Sequence, residues 1–466
     1  MITLRPDQEA VKAKLRVALR ERRSVLTFAP TGFGKTVLAA ALIKAISEAG
    51  NRVIFAVHRV DLITQTAKTF QKFGINFGYI ASGYYHGAYW PVHIASIPTL
   101  KNRLGRHPAD FVIVDEAHLS AACGWAKVAN HYREAGARLI GLTGSPERLD
   151  GKPLGDVWET MVLGPSVRWL IEQGHLSRYR AFGPAGLDLT GVHTRNGEFV
   201  SREVDDLMAG KAILADAVKH WKRFAAGKRT IAFSRSVAAA EALAEAFRAA
   251  GVMAVALDGT TPQADRVAAF NGFADRQVQV IVNCALFCEG FDLSAQVDRD
   301  VPIEAVLQHA PTQSLAKHLQ QMGRGLRRKP EPAVLLDLVG NIARLGLPDD
   351  EREWSLEGRK KRDQEVKTLT CERCFATFRP APVCPHCNEP VARQEREAGG
   401  LGAMLDEVDG ELQEIDVEAL RRAKRREQGM ASTLDDLVRL ATARGYKSPE
   451  RWAAHVWTAR RARVEA

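Results

Sequence analysis

Ala29-Pro30-Thr31-Gly32-Phe33-Gly34-Lys35-Thr36 follows the apolar run Val25-Leu26-Thr27-Phe28 and opens the alanine-rich segment from Val37 to Ile46. Strand, glycine-bearing turn and helix, in that order, make a phosphate cradle. Backbone N–H groups of the turn and of the helix start point at an anion, Lys35 reaches the β- and γ-phosphates, and the Thr36 hydroxyl sits on Mg²⁺. Thr31, Gly32, Gly34, Lys35 and Thr36 are therefore the expected phosphate-binding set. Ala29 stands where the strict pattern has its first glycine, a departure of one methyl group.

Downstream, apolar runs of strand length recur at 53–57, 92–95, 111–114 and 138–142, separated by helical or polar stretches. This alternation predicts a parallel sheet covered by helices. The third run ends in Asp115-Glu116-Ala117-His118, placing two carboxylates at the carboxyl end of a strand, where open α/β sheets keep their ligands. Asp115 suits Mg²⁺ through its water shell, and Glu116 suits an attacking water. Thr143 and Ser145 close the fourth run and form a small hydroxyl loop there. Upstream of the cradle, Arg5 and Gln8 sit three apart; a glutamine side chain offers the donor and acceptor that an adenine edge requires.

The rhythm loosens between about 149 and 206 and restarts with runs at 229–233, 252–256, 278–282 and 333–336. A second α/β domain without a cradle is expected there, a divergent repeat of the first. It carries Gln320-Gln321-Met322-Gly323-Arg324-Gly325-Leu326-Arg327-Arg328. Arg324 and Arg327, three apart beside glycines, suit fingers that reach a γ-phosphate bound in the first domain, a role worth roughly 10³–10⁵ in rate in nucleotide hydrolases. Gly290 and Asp292, in a turn before this helix, are expected to touch nucleotide.

The 466 residues, 46% of them hydrophobic, suffice for two or three domains. A net charge of +10 fits a polyanionic partner. No apolar run reaches membrane-spanning length, and the first residues lack an apolar signal region. Of the seven cysteines, four cluster and Cys123, Cys284 and Cys288 are scattered, which predicts a reducing cytoplasm rather than a disulfide framework. The four are Cys371, Cys374, Cys384 and Cys387, two C-x-x-C knuckles that together complete a tetrahedron for structural Zn²⁺. His386 lies inside the second knuckle and is not expected to be a ligand.

Together these stretches resemble a superfamily-two helicase of the DEAH type with two tandem RecA-like domains. In order stand LRPDQ as the adenine-sensing motif, APTGFGKT as motif I, VHRVDLITQ as Ia, IASIPTL as Ib, DEAH as II, LTGSP as III, IAFSRS as IV, VNCALFCEGFD as V and QQMGRGLRR as VI. The resemblance implies that ATP lies between the domains, with Gln320 joining the catalytic set. It also implies that His118, Thr143 and Ser145 couple hydrolysis to strand movement, and that Arg59, Thr99 and Ser234 meet a nucleic-acid backbone. RWLIEQGHLSRYR, LLDLVGN and the four-cysteine module are similar to RadD-type DNA repair helicases and phage-encoded relatives.

The expected organisation is a first RecA-like domain over 1–165, a linker over 166–205, a second RecA-like domain over 206–345, a basic linker and zinc module over 346–400, and a helical appendage over 401–466. Motif III reads Thr-Gly-Ser, and little room separates Asp292 from Gln320 for a strand-splitting hairpin. These departures favour a translocase or branch-remodelling enzyme acting on single-stranded or branched DNA over a processive unwinder. The tail, basic at Arg421-Arg422-Ala423-Lys424-Arg425-Arg426, is expected to bind DNA or a replication or repair protein. Its Trp452 and Trp457 are expected to pack rather than to stack on bases. An RNA helicase and a nucleotide-gated recruitment module are the competing readings.

Overall fold

The computed structural model describes residues 3–358 except 59–60, 85–86, 88, 120–122, 149–150, 184–191, 196–197, 201–202, 205–210, 285, 288–292 and 298. Beyond these it describes 369–370, 377–378, 383, 413–415, 426–428, 430–431, 433–443, 449–450, 452–454 and 456–457. One unit comprises Met1–Tyr179 with Leu187–Lys360, the other Arg180–Gly186 with Lys361–Ala466.

The larger unit holds two parallel sheets. In the first lobe the strands are β1 (Ser24–Phe28), β2 (Val53–Val57), β3 (Gly78–Ile80), β4 (Val92–Ser96), β5 (Phe111–Val114), β6 (Arg138–Thr143) and β7 (Thr160–Leu163), in the order β3-β4-β2-β5-β6-β1-β7. Helices cover both faces, so the central strands are apolar on both sides and read as unbroken hydrophobic runs. Alternate residues serve opposite cores. Val25, Phe55, Ile113 and Ile140 pack beneath helices α1 (Pro6–Glu21) and α2 (Lys35–Glu48), while Leu26, Ile54, Val112 and Leu139 pack against Trp125 and Trp158. Gly141 lets that second layer close, since a Cβ there would lie 2.7 Å from the Trp158 ring and 2.8 Å from Ala117 Cβ.

The second lobe repeats the plan with β11 (Thr230–Ser234), β12 (Ala254–Leu257), β13 (Val280–Cys284), β14 (Ala305–Gln308) and β15 (Ala333–Asp337) in the parallel order β12-β13-β11-β14-β15. Strand β14 escaped the sequence reading: its run is short and lies between polar segments. The two lobes differ where each first strand meets its helix. After β11, Ser236 caps helix Val237–Ala249 by accepting from Ala239 N–H at 3.2 Å. After β1, the cap is Gly34 at φ 95°, with no side chain to satisfy the helix start.

The stretch 166–205, expected as a linker, is structured in part. Helix α6 (Val167–Glu172) brings Leu170 and Leu176 into the first lobe's core. Further on, a short hairpin pairs β9 (Thr194–Arg195) with β10 (Glu198–Phe199). Glu198 accepts from Thr312 Oγ1 at 2.6 Å and from Gln313 N–H at 2.9 Å, holding the hairpin on the second lobe. After that lobe the chain returns to the first, where Leu154 N–H donates to Leu356 O and Trp354 packs on Phe28.

In the smaller unit, β8 (Tyr179–Gly183, whose first residue belongs to the larger unit) pairs antiparallel with β18 (Gln413–Ile415), and β16 (Leu369–Thr370) pairs with β17 (Thr377–Phe378). Helix Leu434–Ala443 buries Leu437 and Ala441, and Trp452 and Trp457 pack beside Leu437 and Ala453. No described helix is long and apolar enough to cross a membrane.

Burial sets one pH response. It pushes the imidazole of His309 down to about 4 and that of His318 to about 3. Unfolded histidine titrates near 6.5. As pH falls below that value the unfolded chain takes up these protons first, so stability is lost between about pH 6.5 and 3. The thermal midpoint should fall through this window, and His318→Gln should flatten the fall. A parent and variant with parallel profiles would remove burial of His318 as the cause.

Candidate active site

The cradle is built on backbone. Gly32 at φ 87° and Gly34 at φ 95° occupy the left-handed region, where a side chain is strained. The turn is braced from behind by α1. Gln8 Nε2 and Arg5 Nη2 both donate to Phe33 O at 2.9 Å, and Gln8 Oε1 accepts from Arg5 N–H at 3.1 Å. Asp7 holds the Arg5 guanidinium at 2.8 Å. The pair assigned from sequence to an adenine edge thus first fixes the shape of the cradle. Gln8 is buried, with both ends of its amide engaged.

Asp115 and Glu116 follow β5 as expected. Glu116 is the centre of the site: it is 3% exposed and adopts φ 50°, a strained conformation for a non-glycine residue. Its Oε1 lies 3.6 Å from Lys35 Nζ. Its Oε2 accepts from Gln320 Nε2 of the second lobe at 3.4 Å and lies 3.5 Å from His118 Nδ1. Burial opposes its ionisation, but positive charge, Lys35 first and Arg324 with it, outweighs burial and holds the carboxyl below its ordinary value. Burial and the adjacent Glu116 carboxylate push Asp115 the other way, up to about 7, against the pull of Lys35. One carboxylate is thus fixed as an anion, and its neighbour is short of positive charge.

His118 leads away from the centre. Burial pushes it down to about 4, so it is neutral at neutral pH, and its Nδ1 lies 3.0 Å from Thr143 Oγ1. Thr143 Oγ1 donates to Ser145 O at 2.9 Å and accepts from Ser145 N–H at 3.2 Å. Ser145 Oγ is buried without a hydrogen-bond partner among the described residues. His58, absent from the sequence reading, meets Glu116 O through Nε2 at 3.1 Å. It stands at the end of β2, beside Arg59 in the Ia stretch, and that position was the signal available.

The second lobe reaches the cradle through the arginine helix, Leu315–Gly325, which Ser314 caps. A Cβ on Gly323 would lie 2.6 Å from Thr31 Cβ, so glycine there allows helix and cradle to touch. Arg324 is 6% exposed and lies near enough to lower the Glu116 carboxyl; Arg327 follows the helix and is half-buried. Of the residues assigned to nucleic acid, Thr99 shares a hydroxyl contact with Ser96 at 2.8 Å and Ser234 is buried. Arg59, Gly290, Asp292 and the four cysteines Cys371, Cys374, Cys384 and Cys387 lie outside the described residues.

This geometry fits a nucleoside triphosphate with its metal. The first helix start lacks the side-chain cap its counterpart has, the left-handed glycines keep the backbone open to close approach, and Lys35 is adjacent. No group of three His, Cys, Asp or Glu side chains among the described residues could hold a metal alone.

Residues 1–148 match the model of the type III restriction enzyme res subunit, and residues 212–329 match the helicase conserved C-terminal domain. A 51.5 kDa protein of a Lactococcus phage is 30% identical over 392 residues, 82% of each chain. The chain belongs to the superfamily-two helicases. This helicase is an ATP hydrolase. It is also 26% identical over 357 residues to IRC3 of Saccharomyces cerevisiae, assigned by name to the ATP-dependent helicases, and spans about half of that protein (51%). Among solved structures, the ATP-dependent type ISP restriction-modification enzyme LlaBIII bound to DNA superposes over 72% of this chain and 28% of its own. The TM-score is 0.55 at 14% identity, a likeness of fold.

Lys35→Ala, Glu116→Gln and Arg324→Ala should each lower ATP turnover by at least about 10². Glu116→Gln should retain binding of a fluorescent ATP analogue. Turnover within threefold of the parent in any of the three would remove that residue from the catalytic set.

Proposed function

We propose that this helicase is a DNA translocase or branch-remodelling enzyme, driven by ATP hydrolysis in the cleft between its lobes. The observation that carries the reading is the meeting of both lobes on one carboxylate: Lys35 at 3.6 Å and Gln320 at 3.4 Å from Glu116. Lys35, Thr36 and the cradle N–H groups bind the phosphates, and Thr31, Gly32 and Gly34 shape the turn. Asp115 and Thr36 hold Mg²⁺, which neutralises charge on the phosphates. Glu116 orients water, and Arg324 and Arg327 contribute positive charge from the second lobe. Catalysis of this kind is positioning and charge neutralisation, so it depends on both lobes being in register.

His118, Thr143 and Ser145 connect that carboxylate to the end of β6 and form the coupling route. Arg59, Thr99 and Ser234 contact the nucleic-acid backbone, and Gly290 and Asp292 contact the nucleotide. Arg5 and Gln8 read the adenine edge beside the cradle they brace. DNA as the polymer is supported by the net charge of +10 and by the DNA in the LlaBIII complex. The five-part organisation 1–165, 166–205, 206–345, 346–400 and 401–466 belongs to the same reading.

Cys371, Cys374, Cys384 and Cys387 bind one structural Zn²⁺. The antiparallel pairing of Leu369–Thr370 with Thr377–Phe378, on either side of the first knuckle, supports this. The tail docks a repair or replication partner, and the protein acts in the cytoplasm.

ATP turnover measured with single-stranded DNA, forked DNA and RNA tests the reading. Forked or single-stranded DNA should stimulate most, with apparent affinity falling steeply as salt rises. Stimulation by RNA alone would overturn the choice of polymer, and robust unwinding of long duplex would overturn the choice of translocase. Metal analysis of the purified chain should return one zinc per chain, lost in Cys371→Ser with Cys384→Ser.

A further inference from the structure

The end of the arginine helix does not float over the cradle; a strap from the first lobe holds it. Leu176, Ser177 and Arg178 follow α6 and run antiparallel to the residues after the helix. Leu176 forms a bridge with Arg327, and Ser177 N–H donates to Leu326 O at 2.9 Å. Ser177 Oγ accepts from Lys329 N–H at 2.9 Å and donates to Arg327 O at 2.9 Å, with Lys329 O at 3.2 Å as an alternative acceptor. One hydroxyl therefore closes the turn Leu326–Lys329 on itself. Ala333 N–H then donates to Arg178 O at 2.8 Å, so the strap continues into β15.

The other side of the strap faces the phosphate cradle. A Cβ built on Gly32 would lie 2.5 Å from Leu176 Cδ2, so the leucine packs directly on the turn. Leu326, although it belongs to the second lobe, is 1% exposed and sits in the first lobe's core with Phe33, Leu170 and Leu176. Cradle, strap and helix end form one packed column, and among the described hydrogen bonds Ser177 is the only strap side chain bonded to the Arg327–Lys329 backbone, where the Lys329 ammonium also donates to Arg327 O at 3.2 Å from within the turn.

We propose that Ser177 is a positioning residue for ATP hydrolysis: with Leu176 it registers the end of the arginine helix against the cradle, so that Arg324 and Arg327 reach the nucleotide. The inference rests on the proposed role of those arginines and assigns their alignment to a segment outside the helicase motifs. The partners of the hydroxyl are the backbone groups of Arg327 and Lys329, and it acts through them.

Misalignment of this kind lowers turnover more than binding, because the cradle itself is unchanged. Ser177→Ala should lower kcat about tenfold and leave KM for ATP, and the Kd of a fluorescent ATP analogue, within twofold. Ser177→Thr, which keeps the hydroxyl, should recover most of the rate. Ser177→Cys keeps the volume with a weak hydrogen-bonding group and should fall like alanine; it serves if Ser177→Ala does not fold. The triple variant Ser177→Ala with Arg324→Ala and Arg327→Ala should be no slower than Arg324→Ala with Arg327→Ala, since Ser177 acts through those two guanidinium groups.

A parental kcat in Ser177→Ala or Ser177→Cys overturns the proposal, as does a triple variant slower than Arg324→Ala with Arg327→Ala. Equal losses in kcat and nucleotide affinity would also overturn it, by showing general damage to the cradle. Parental turnover in Arg324→Ala would instead overturn the reading of the site, and the strap's role with it.

Discussion

A buried carboxylate needs positive charge, and Glu116 draws it from two lobes at once. Desolvation alone would favour the neutral acid. Lys35 comes from the helix after the cradle, Arg324 from the helix before β15, and Gln320 adds an amide donor at 3.4 Å. The anion is therefore most comfortable when the lobes are together. Its left-handed backbone, at φ 50°, is held by the surrounding contacts, including His58 on its own carbonyl. A residue that must stay charged in a dry cleft becomes the reason the cleft has two sides.

The same economy appears in the parts around it. Gln8 and Arg5 spend their donors on Phe33 O, which shapes the turn before any ligand arrives. Gly323 and Gly32 carry no Cβ because Thr31 and Leu176 already occupy the space. Each is a surface where two segments from different lobes or motifs approach too closely for a larger residue. Their replacement by alanine would act on the distance between lobes rather than on either core.

The cradle was legible in the chain because phosphate binding forces left-handed glycines and a following lysine into a short, ordered pattern. Asp115 and Glu116 were legible for a related reason: a strand that is apolar on both faces ends abruptly in two acids. The strap was not. Ser177 works through backbone carbonyls of Arg327 and Lys329, a contact that leaves no periodicity and no characteristic neighbour. Strand β14 and the hairpin at Thr194–Phe199 were hidden by their shortness, since both take their stability from the lobe they pack on. His58 was overlooked because its role is set by the turn of another strand, β5, that meets it in space.

Ser236 occupies in the second lobe the position that Gly34 holds in the first, and its hydroxyl fills the helix start that would otherwise attract an anion. The two lobes are thereby unequal at the point where the first strand hands over to its helix. Of these two helix starts the first alone has no side-chain cap, so the pair offers an anion one seat rather than two.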